Sequence, residues 1–256
     1  MKLGAQLYTV REHCKNLSDF EETLKRIADI GYSEVQVSGT CDYEADWLKE
    51  ALAKAGLSCP ITHISPQKLQ DDIQKVIADH KIFGCKHIGI GALPNGWGGI
   101  TDEVYRDFVD KFTVIGQKIY DAGLMFMYHN HDIEFRQDES NRRYLDRLVE
   151  DFTPEQMGFT LDTYWVQAGG GDVIDWIKKL KGRLPCVHLK DMTYFPGEGK
   201  RMAPVGWGNM NFEGIVKALE DAGSEHLLVE QDDCYGEDPF ACLKKSYDYL
   251  KSLGLE

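Results

Sequence analysis

The feature that most constrains this chain is a cadence repeated along its length: an amphipathic helix, a glycine near its end, then a short β-branched or aromatic strand. Ile30-Gly31 precedes Glu34-Val35-Gln36-Val37, Ala55-Gly56 precedes Leu57-Ser58-Cys59-Pro60-Ile61, and Phe83-Gly84 precedes His87-Ile88-Gly89-Ile90. The pattern returns at Ala122-Gly123 before Leu124, at Lys181-Gly182 before Leu184-Pro185-Cys186-Val187, and at Ala222-Gly223 before Leu227-Leu228-Val229. Glycine there ends a helix in the left-handed conformation and turns the chain back toward a sheet. Strands alternating with helices over such short links form a parallel sheet.

Eight strands are expected, beginning near residues 3, 34, 59, 87, 124, 157, 185 and 226. Helices are predicted over Ser18–Ile30, Glu44–Ala55, Gln67–Phe83, Thr101–Ala122, Ser140–Asp151, Asp172–Leu180, Phe212–Asp221 and Pro239–Leu253. Ser18 and Glu21 have the spacing of a capping box, and Asp102 and Glu103 suit the positive start of the fourth helix. Eight βα units in 256 residues leave about 32 residues each, the size of a compact (β/α)8 TIM barrel of class α/β. A single domain over residues 1–256 follows, with no linker or low-complexity segment. An open doubly wound sheet is the alternative, but Gln6-Leu7-Tyr8-Thr9-Val10-Arg11 stands where it would place a glycine-rich phosphate loop.

The formal net charge of −13 argues against a surface for nucleic acid or anionic membrane, which needs clustered Lys and Arg. No signal-peptide core or membrane-length apolar run is present. The seven cysteines are scattered without a C-x-x-C pair, which reads as reduced thiols and a cytoplasmic protein rather than a disulfide framework. Exposed aromatics on the last helix, Tyr247 and Tyr249, permit a homo-oligomer.

Chemistry concentrates at strand ends. After Leu124-Met125-Phe126-Met127 comes Tyr128-His129-Asn130-His131-Asp132-Ile133-Glu134-Phe135, a run too polar to bury except where a strand opens into a cleft. The sixth strand ends at Asp162, the seventh at His188 followed by Leu189-Lys190-Asp191, and the eighth at Glu230 followed by Gln231-Asp232-Asp233. A carboxylate after a strand is most often a helix cap. Four consecutive strands ending on metal-ligand types, all at one barrel mouth, are hard to explain by capping. Three loops on the same side, residues 91–99, 164–171 and 192–211, read as substrate walls or lids.

Tyr-His-Asn-His-x-x-Glu-Phe at 128–135, Leu-Asp-Thr-Tyr-Trp at 161–165, Val-His-Leu-Lys-Asp-Met at 187–192 and Leu-Val-Glu at 228–230 resemble the sugar phosphate isomerase/epimerase group of xylose isomerase-like TIM barrels. The resemblance spans essentially the whole chain in order. It implies one divalent metal held by Glu134, Asp162, His188 and Glu230, a mostly hard set suited to Mn2+, Mg2+ or Co2+ and less to Zn2+. The metal would polarise a sugar carbonyl and stabilise an enediolate, with Glu134 and Glu230 as acid and base. The implied partner is a small sugar.

Other residues keep two readings. His131 either binds a substrate hydroxyl or orients Glu134, and His129 is read as packed or as a support for a ligand. Lys190 either meets a substrate oxygen or pairs with Asp191. His63, Tyr8 and Gln6 end strands toward the same mouth as candidate substrate contacts. Trp97, Trp165 and Trp207 either stack on a sugar ring or pack. His13, His80, His87 and His226 are read as surface or structural. Gln36 stands where a glutamate is expected from the resemblance, and Val205-Gly206-Trp207-Gly208 replaces a Gly-Glu-Gly. Trp165 stands three residues after Asp162, where related apurinic endonucleases carry a histidine. Three alternatives to an isomerase remain: a lyase acting on an inosose or 3-keto-sugar through the same metal, a repair nuclease, and a non-catalytic sugar-binding barrel. On the metal reading, a chelator lowers the melting temperature, Mn2+ restores it, and Asp162→Asn abolishes the difference; a melting curve indifferent to both ions and mutation would remove the reading.

Overall fold

The computed structural model of the chain describes residues 1–94 and 99–255, so Trp97 lies outside the described residues. Among the described residues ten strands occur in chain order: β1 (Lys2–Gln6), β2 (Glu34–Gln36), β3 (Ile61–His63), β4 (His87–Ile90), β5 (Met125–His129), β6 (Gly158–Asp162), β7 (Cys186–Leu189), β8 (Asp191–Phe195), β9 (Gly199–Ala203) and β10 (His226–Val229). All but β8 and β9 run parallel, in the order β2-β1-β10-β7-β6-β5-β4-β3. Parallel bridges from Glu34 to Ser58 and from Val37 to Thr62 join the two edge strands and nearly close the barrel. The expected (β/α)8 architecture is therefore the one found, in a single domain.

Among the described residues ten α-helices surround it: α1 (Leu17–Ile30), α2 (Ala45–Ala55), α3 (Pro66–Asp71), α4 (Ile73–Ile82), α5 (Asp102–Asp121), α6 (Tyr144–Asp151), α7 (Thr163–Ala168), α8 (Val173–Lys179), α9 (Phe212–Ala222) and α10 (Pro239–Ser252). Several boundaries differ from the sequence expectation for local reasons. Asn16, not Ser18, caps α1, its side-chain oxygen accepting the Asp19 N–H at 3.0 Å. The helix expected over residues 67–83 breaks at Asp72, whose extended backbone and carboxylate cap α4 through Lys75 N–H. The helix expected from Ser140 starts at Tyr144, because Asp138 accepts the N–H groups of Ser140 and Arg142 and holds a tight turn with Asn141 at φ 60°. The loops expected after β6 and β7 contain α7 and the antiparallel hairpin β8–β9. Tyr247 and Tyr249 are half-buried, Tyr247 against Tyr32 and Tyr249 over Gly206, so they do not form an exposed aromatic face.

Two sets of side chains make the core. Outward-facing strand residues such as Val35, Phe126 and Val187 meet the helices; Phe126 packs on Phe112 of α5. Inside the barrel a smaller cluster of Ile61, Met127, Cys186 and Leu228 forms a floor. Strand periodicity then dictates what lies above it: two residues beyond Met127, Cys186 and Leu228 come His129, His188 and Glu230, all on the inner face. Gly89 leaves room beside them, since a Cβ there would lie 2.7 Å from the His63 ring.

His80 fastens the helix layer to the barrel. It is buried on α4, with Nε2 2.7 Å from the Thr62 hydroxyl and Nδ1 2.7 Å from the Val76 carbonyl. Burial depresses its pKa to about 4, against the helpful Val76 carbonyl. A folded-state pKa below the unfolded one gives stability that is present above the unfolded value of about 6.5 and is lost as pH falls through the folded value. His80→Gln should therefore cost stability at pH 7, and its melting temperature should converge on the wild-type value as the pH is lowered toward 4.5. A gap that stays constant with pH would show that His80 does not titrate in this way.

Candidate metal centre and active-site pocket

The C-terminal ends of the strands open into a pocket of about 490 Å3. Four buried side chains meet at its base. His129 from β5, Asp162 from β6, His188 from β7 and Glu230 just past β10 each offer a ligand atom, and these atoms lie within 4.8 Å of one another. Ligands about 2.0–2.6 Å from a shared ion stand at most roughly 5.2 Å apart, so the spacing of the four is compatible with one cation.

The hydrogen bonds around them leave the inward atoms open. Asp162 accepts the Trp165 N–H with Oδ1, capping α7, while Oδ2 has no hydrogen bond. Glu230 accepts Gln6 Nε2 with Oε1 at 3.0 Å, leaving Oε2 inward. His188 donates from Nε2 to Gln36 Oε1 at 2.7 Å, which turns Nδ1 toward Glu230 Oε2, 2.8 Å away. In a neutral His188 two lone pairs would face each other at that distance, and a proton or a cation must sit beside them. Burial alone would make His188 harder to protonate, but Glu230 and Asp162 outweigh it and raise its pKa. Gln36, which stands where a charged glutamate was expected, thus orients His188 without adding charge.

Lys190 completes the centre. Its buried ammonium lies 3.2 Å from Asp162 Oδ2, 3.0 Å from Glu230 Oε2 and 2.9 Å from Asp232 Oδ1. Burial disfavours its charge, yet the three carboxylates hold its pKa above the ordinary value. Glu230 is correspondingly held below the carboxylate range: burial opposes this, and Lys190 and His188 prevail. Asp191, the partner of Lys190 on one of its two sequence readings, faces elsewhere and accepts the N–H groups of Gly206, Gly208 and Met210, anchoring the loop after β9.

Glu134 is not brought into this cluster. The alternation that turns His129 inward turns Tyr128 outward, against Phe108, and Glu134 follows in a 3-10 turn (Ile133–Phe135) on that outer side. Its carboxylate accepts the Tyr128 hydroxyl at 2.6 Å and the His131 N–H at 2.7 Å, and it does not line the pocket. Burial, only partly offset by those hydrogen bonds, raises its pKa to about 7. His129 takes the fourth place instead. The signal for it was the period of two from Met125 through Met127, which the density of polar residues downstream obscured.

The pocket walls carry the other expected residues. Tyr8, His63, His131, Trp165 and Lys190 all line it. The His131 ring is 5.2 Å from that of Trp165, and burial lowers its pKa to about 4. Trp207 is largely exposed and does not line the pocket. Asp232 was not singled out from the sequence; it sits two residues beyond Glu230, lines the pocket and pairs with Lys190, with burial and the Glu230 charge raising its pKa to about 7. His87 and His226 lie at the opposite end of the barrel, where His226 Nδ1 is 2.7 Å from Glu34.

Strand-end carboxylates and imidazoles converging beneath an open pocket at the C-terminal face of a (β/α)8 barrel define a barrel of the enzymatic type. The chain belongs to the xylose isomerase-like TIM barrel family, whose model matches residues 24–253. It is 24% identical over 268 residues to the inosose dehydratase of Geobacillus thermodenitrificans, covering 91% of this chain and 89% of that protein. A sugar phosphate isomerase/epimerase from Parabacteroides distasonis superposes with a TM-score of 0.80 at 22% identity, covering 98% of this chain and 94% of that one. An L-ribulose 3-epimerase superposes with a TM-score of 0.75 at 16% identity, covering 98% and 94%. No described helix is long and apolar enough to cross a membrane.

Removing the group that aims His188 should loosen the centre. Gln36→Leu is expected to weaken divalent-cation binding roughly 10- to 100-fold, the usual cost of losing a partner of a metal-bound imidazole. Titration of Mn2+ into stripped protein measures it, and an unchanged affinity would mean that Gln36 does not orient a ligand.

Proposed function

We propose that the protein is a divalent-metal-dependent isomerase or epimerase of a small sugar or sugar phosphate, acting by removal of a proton from the carbon beside a carbonyl. The observation that carries the reading is the arrangement of Glu230: one oxygen is fixed by Gln6, the other faces the ligand cluster, and the side chain lines the pocket. A cation held by Asp162, His188 and Glu230, with His129 as a fourth ligand, would supply the Lewis acidity that stabilises the negative charge developing on a carbonyl oxygen. With His129 the set is softer than one of three carboxylates, so Zn2+ joins Mn2+, Mg2+ and Co2+ as a suitable ion.

The chain's own groups do the rest. Lys190 and Arg11 bring positive charge to the pocket, and Tyr8, His63 and His131 offer hydrogen-bonding groups to hydroxyls. Trp165 gives a flat apolar wall against which a sugar ring can lie. Glu230 takes the proton. In this proposal Glu134, which accepts the His131 N–H from behind the pocket wall, positions the segment that carries His131. A small sugar, rather than a nucleic acid, suits a pocket that also presents Glu230 and Asp232.

A second reading is favoured by the full-length likeness to inosose dehydratases: the same proton removal followed by loss of water from the next carbon. Both readings share Glu230 and the cluster, and they part at the product.

The test is incubation of the metal-loaded protein with ketoses, sugar phosphates and keto-inositols in D2O, followed by NMR. Deuterium entering beside the carbonyl with an epimer or isomer as product supports the first reading; a dehydrated product transfers the assignment to the second. Exchange with none of them would overturn both. Glu230→Gln should lower turnover by about 10²- to 10⁴-fold. Glu134→Gln should lower turnover by less than Glu230→Gln does while Mn2+ binding persists; a loss as large as that of Glu230→Gln would show that Glu134 reaches the substrate.

A further inference from the structure

Lys190 is the least expected member of the centre. A lysine is almost never fully buried unless paired, and this one is 1% exposed. Its partners Asp162 Oδ2 and Glu230 Oε2 are the same oxygens that face the middle of the ligand cluster. The third partner, Asp232, belongs to the pocket wall and is outside that cluster. Lys190 is held in place from behind by its backbone, whose N–H donates to the Thr163 hydroxyl at 2.9 Å while the Thr163 hydroxyl donates to its carbonyl at 2.7 Å. The backbone of Lys190 is therefore fixed, and its side chain brings the ammonium within reach of all three carboxylates.

The geometry points to Lys190 as a built-in counter-cation that competes with the divalent metal for Asp162 and Glu230, with Asp232 as the carboxylate that keeps its ammonium when a metal takes the other two. This rests on the metal reading above and adds to it a positioning residue that sets metal affinity. Two carboxylates buried about 3 Å from a cation are costly without one, because an unpaired buried charge destabilises strongly. With Lys190 present they are compensated before any ion arrives. A dication entering the cluster must displace the ammonium from two oxygens and then tolerate a positive charge nearby, so the same lysine that stabilises the empty cluster weakens metal binding. Asp232 limits that penalty by retaining the ammonium at the pocket edge, beside Trp165, whose ring lies 5.6 Å from Nζ. There the charge faces the pocket, where an anionic oxygen of a substrate would meet it.

The test measures Mn2+ binding by electron paramagnetic resonance, and melting temperature with and without Mn2+, for wild type, Lys190→Met, Asp232→Asn and the double variant. Lys190→Met should melt lower than wild type when stripped of metal, bind Mn2+ at least about tenfold more tightly, and gain more in melting temperature from it. Asp232→Asn should weaken Mn2+ binding in the wild-type background and leave it unchanged in Lys190→Met, since Asp232 acts through the lysine. Should Lys190→Met fail to fold even with Mn2+, Lys190→Gln carries the same expectations. Equal Mn2+ affinity in wild type and the lysine variants would overturn the inference while leaving the metal reading intact, as would equal effects of Asp232→Asn in both backgrounds. Mn2+ binding only after Lys190 is replaced would support it in its strongest form. Binding by none of the proteins would remove both.

Discussion

The structure turns on placing two carboxylates, Asp162 and Glu230, at the dry base of a barrel mouth. Neither is exposed beyond a few per cent, and isolated buried carboxylates are expensive. Each is compensated on both oxygens from different strands or the segments just beyond them: Gln6 from β1, Trp165 N–H from α7, His188 from β7 and Lys190 after it. Such compensation requires β1, β6, β7 and β10 to be neighbours in the right register, which the parallel pairing Asp162 with His188 and His188 with Leu228 provides. The barrel is the means by which residues 224 positions apart, such as Gln6 and Glu230, come to share a hydrogen bond.

Much of this was legible in the sequence because it is written in two short periods. The helix–glycine–strand cadence located six of the eight parallel strands, and the polar residue at the end of the later apolar runs located the mouth. What was not legible depended on side-chain competition. Ser18 and Asn16 are both good caps, and only the chain path selects Asn16. The single helix expected over residues 67–83 divides because Asp72 forms a better cap than a helix interior.

The fourth member of the cluster shows the same limit more sharply. In Tyr128-His129-Asn130-His131-Asp132-Ile133-Glu134 every second residue of the strand must point inward, which assigns His129 to the barrel and Tyr128 to the helices. That rule stops where the strand stops. Beyond His129 the chain turns, and Glu134 is placed by the hydrogen bonds it finds, from Tyr128 and from the His131 N–H. The tyrosine two residues past Phe126 was as decisive for Glu134 as anything in Glu134's own neighbourhood, yet a sequence reading treats it as packing.

The two ends of the barrel use similar residues for different ends. At the N-terminal face Glu34 is surrounded by Lys2, Ser58 and His226, and each of its oxygens is hydrogen-bonded, Oε1 by the Ser58 hydroxyl and Oε2 by His226 Nδ1. Burial would raise its pKa, but those partners lower it, and nothing is left over to bind a ligand atom. At the C-terminal face, Asp162 Oδ2, His188 Nδ1 and Glu230 Oε2 are buried without hydrogen bonds and converge. Full satisfaction of polar groups marks structure, and convergent incomplete satisfaction marks chemistry. On that criterion, rather than on pocket size, the smaller hollow above His129 and Glu230 is the functional one, although the two at the other end are larger.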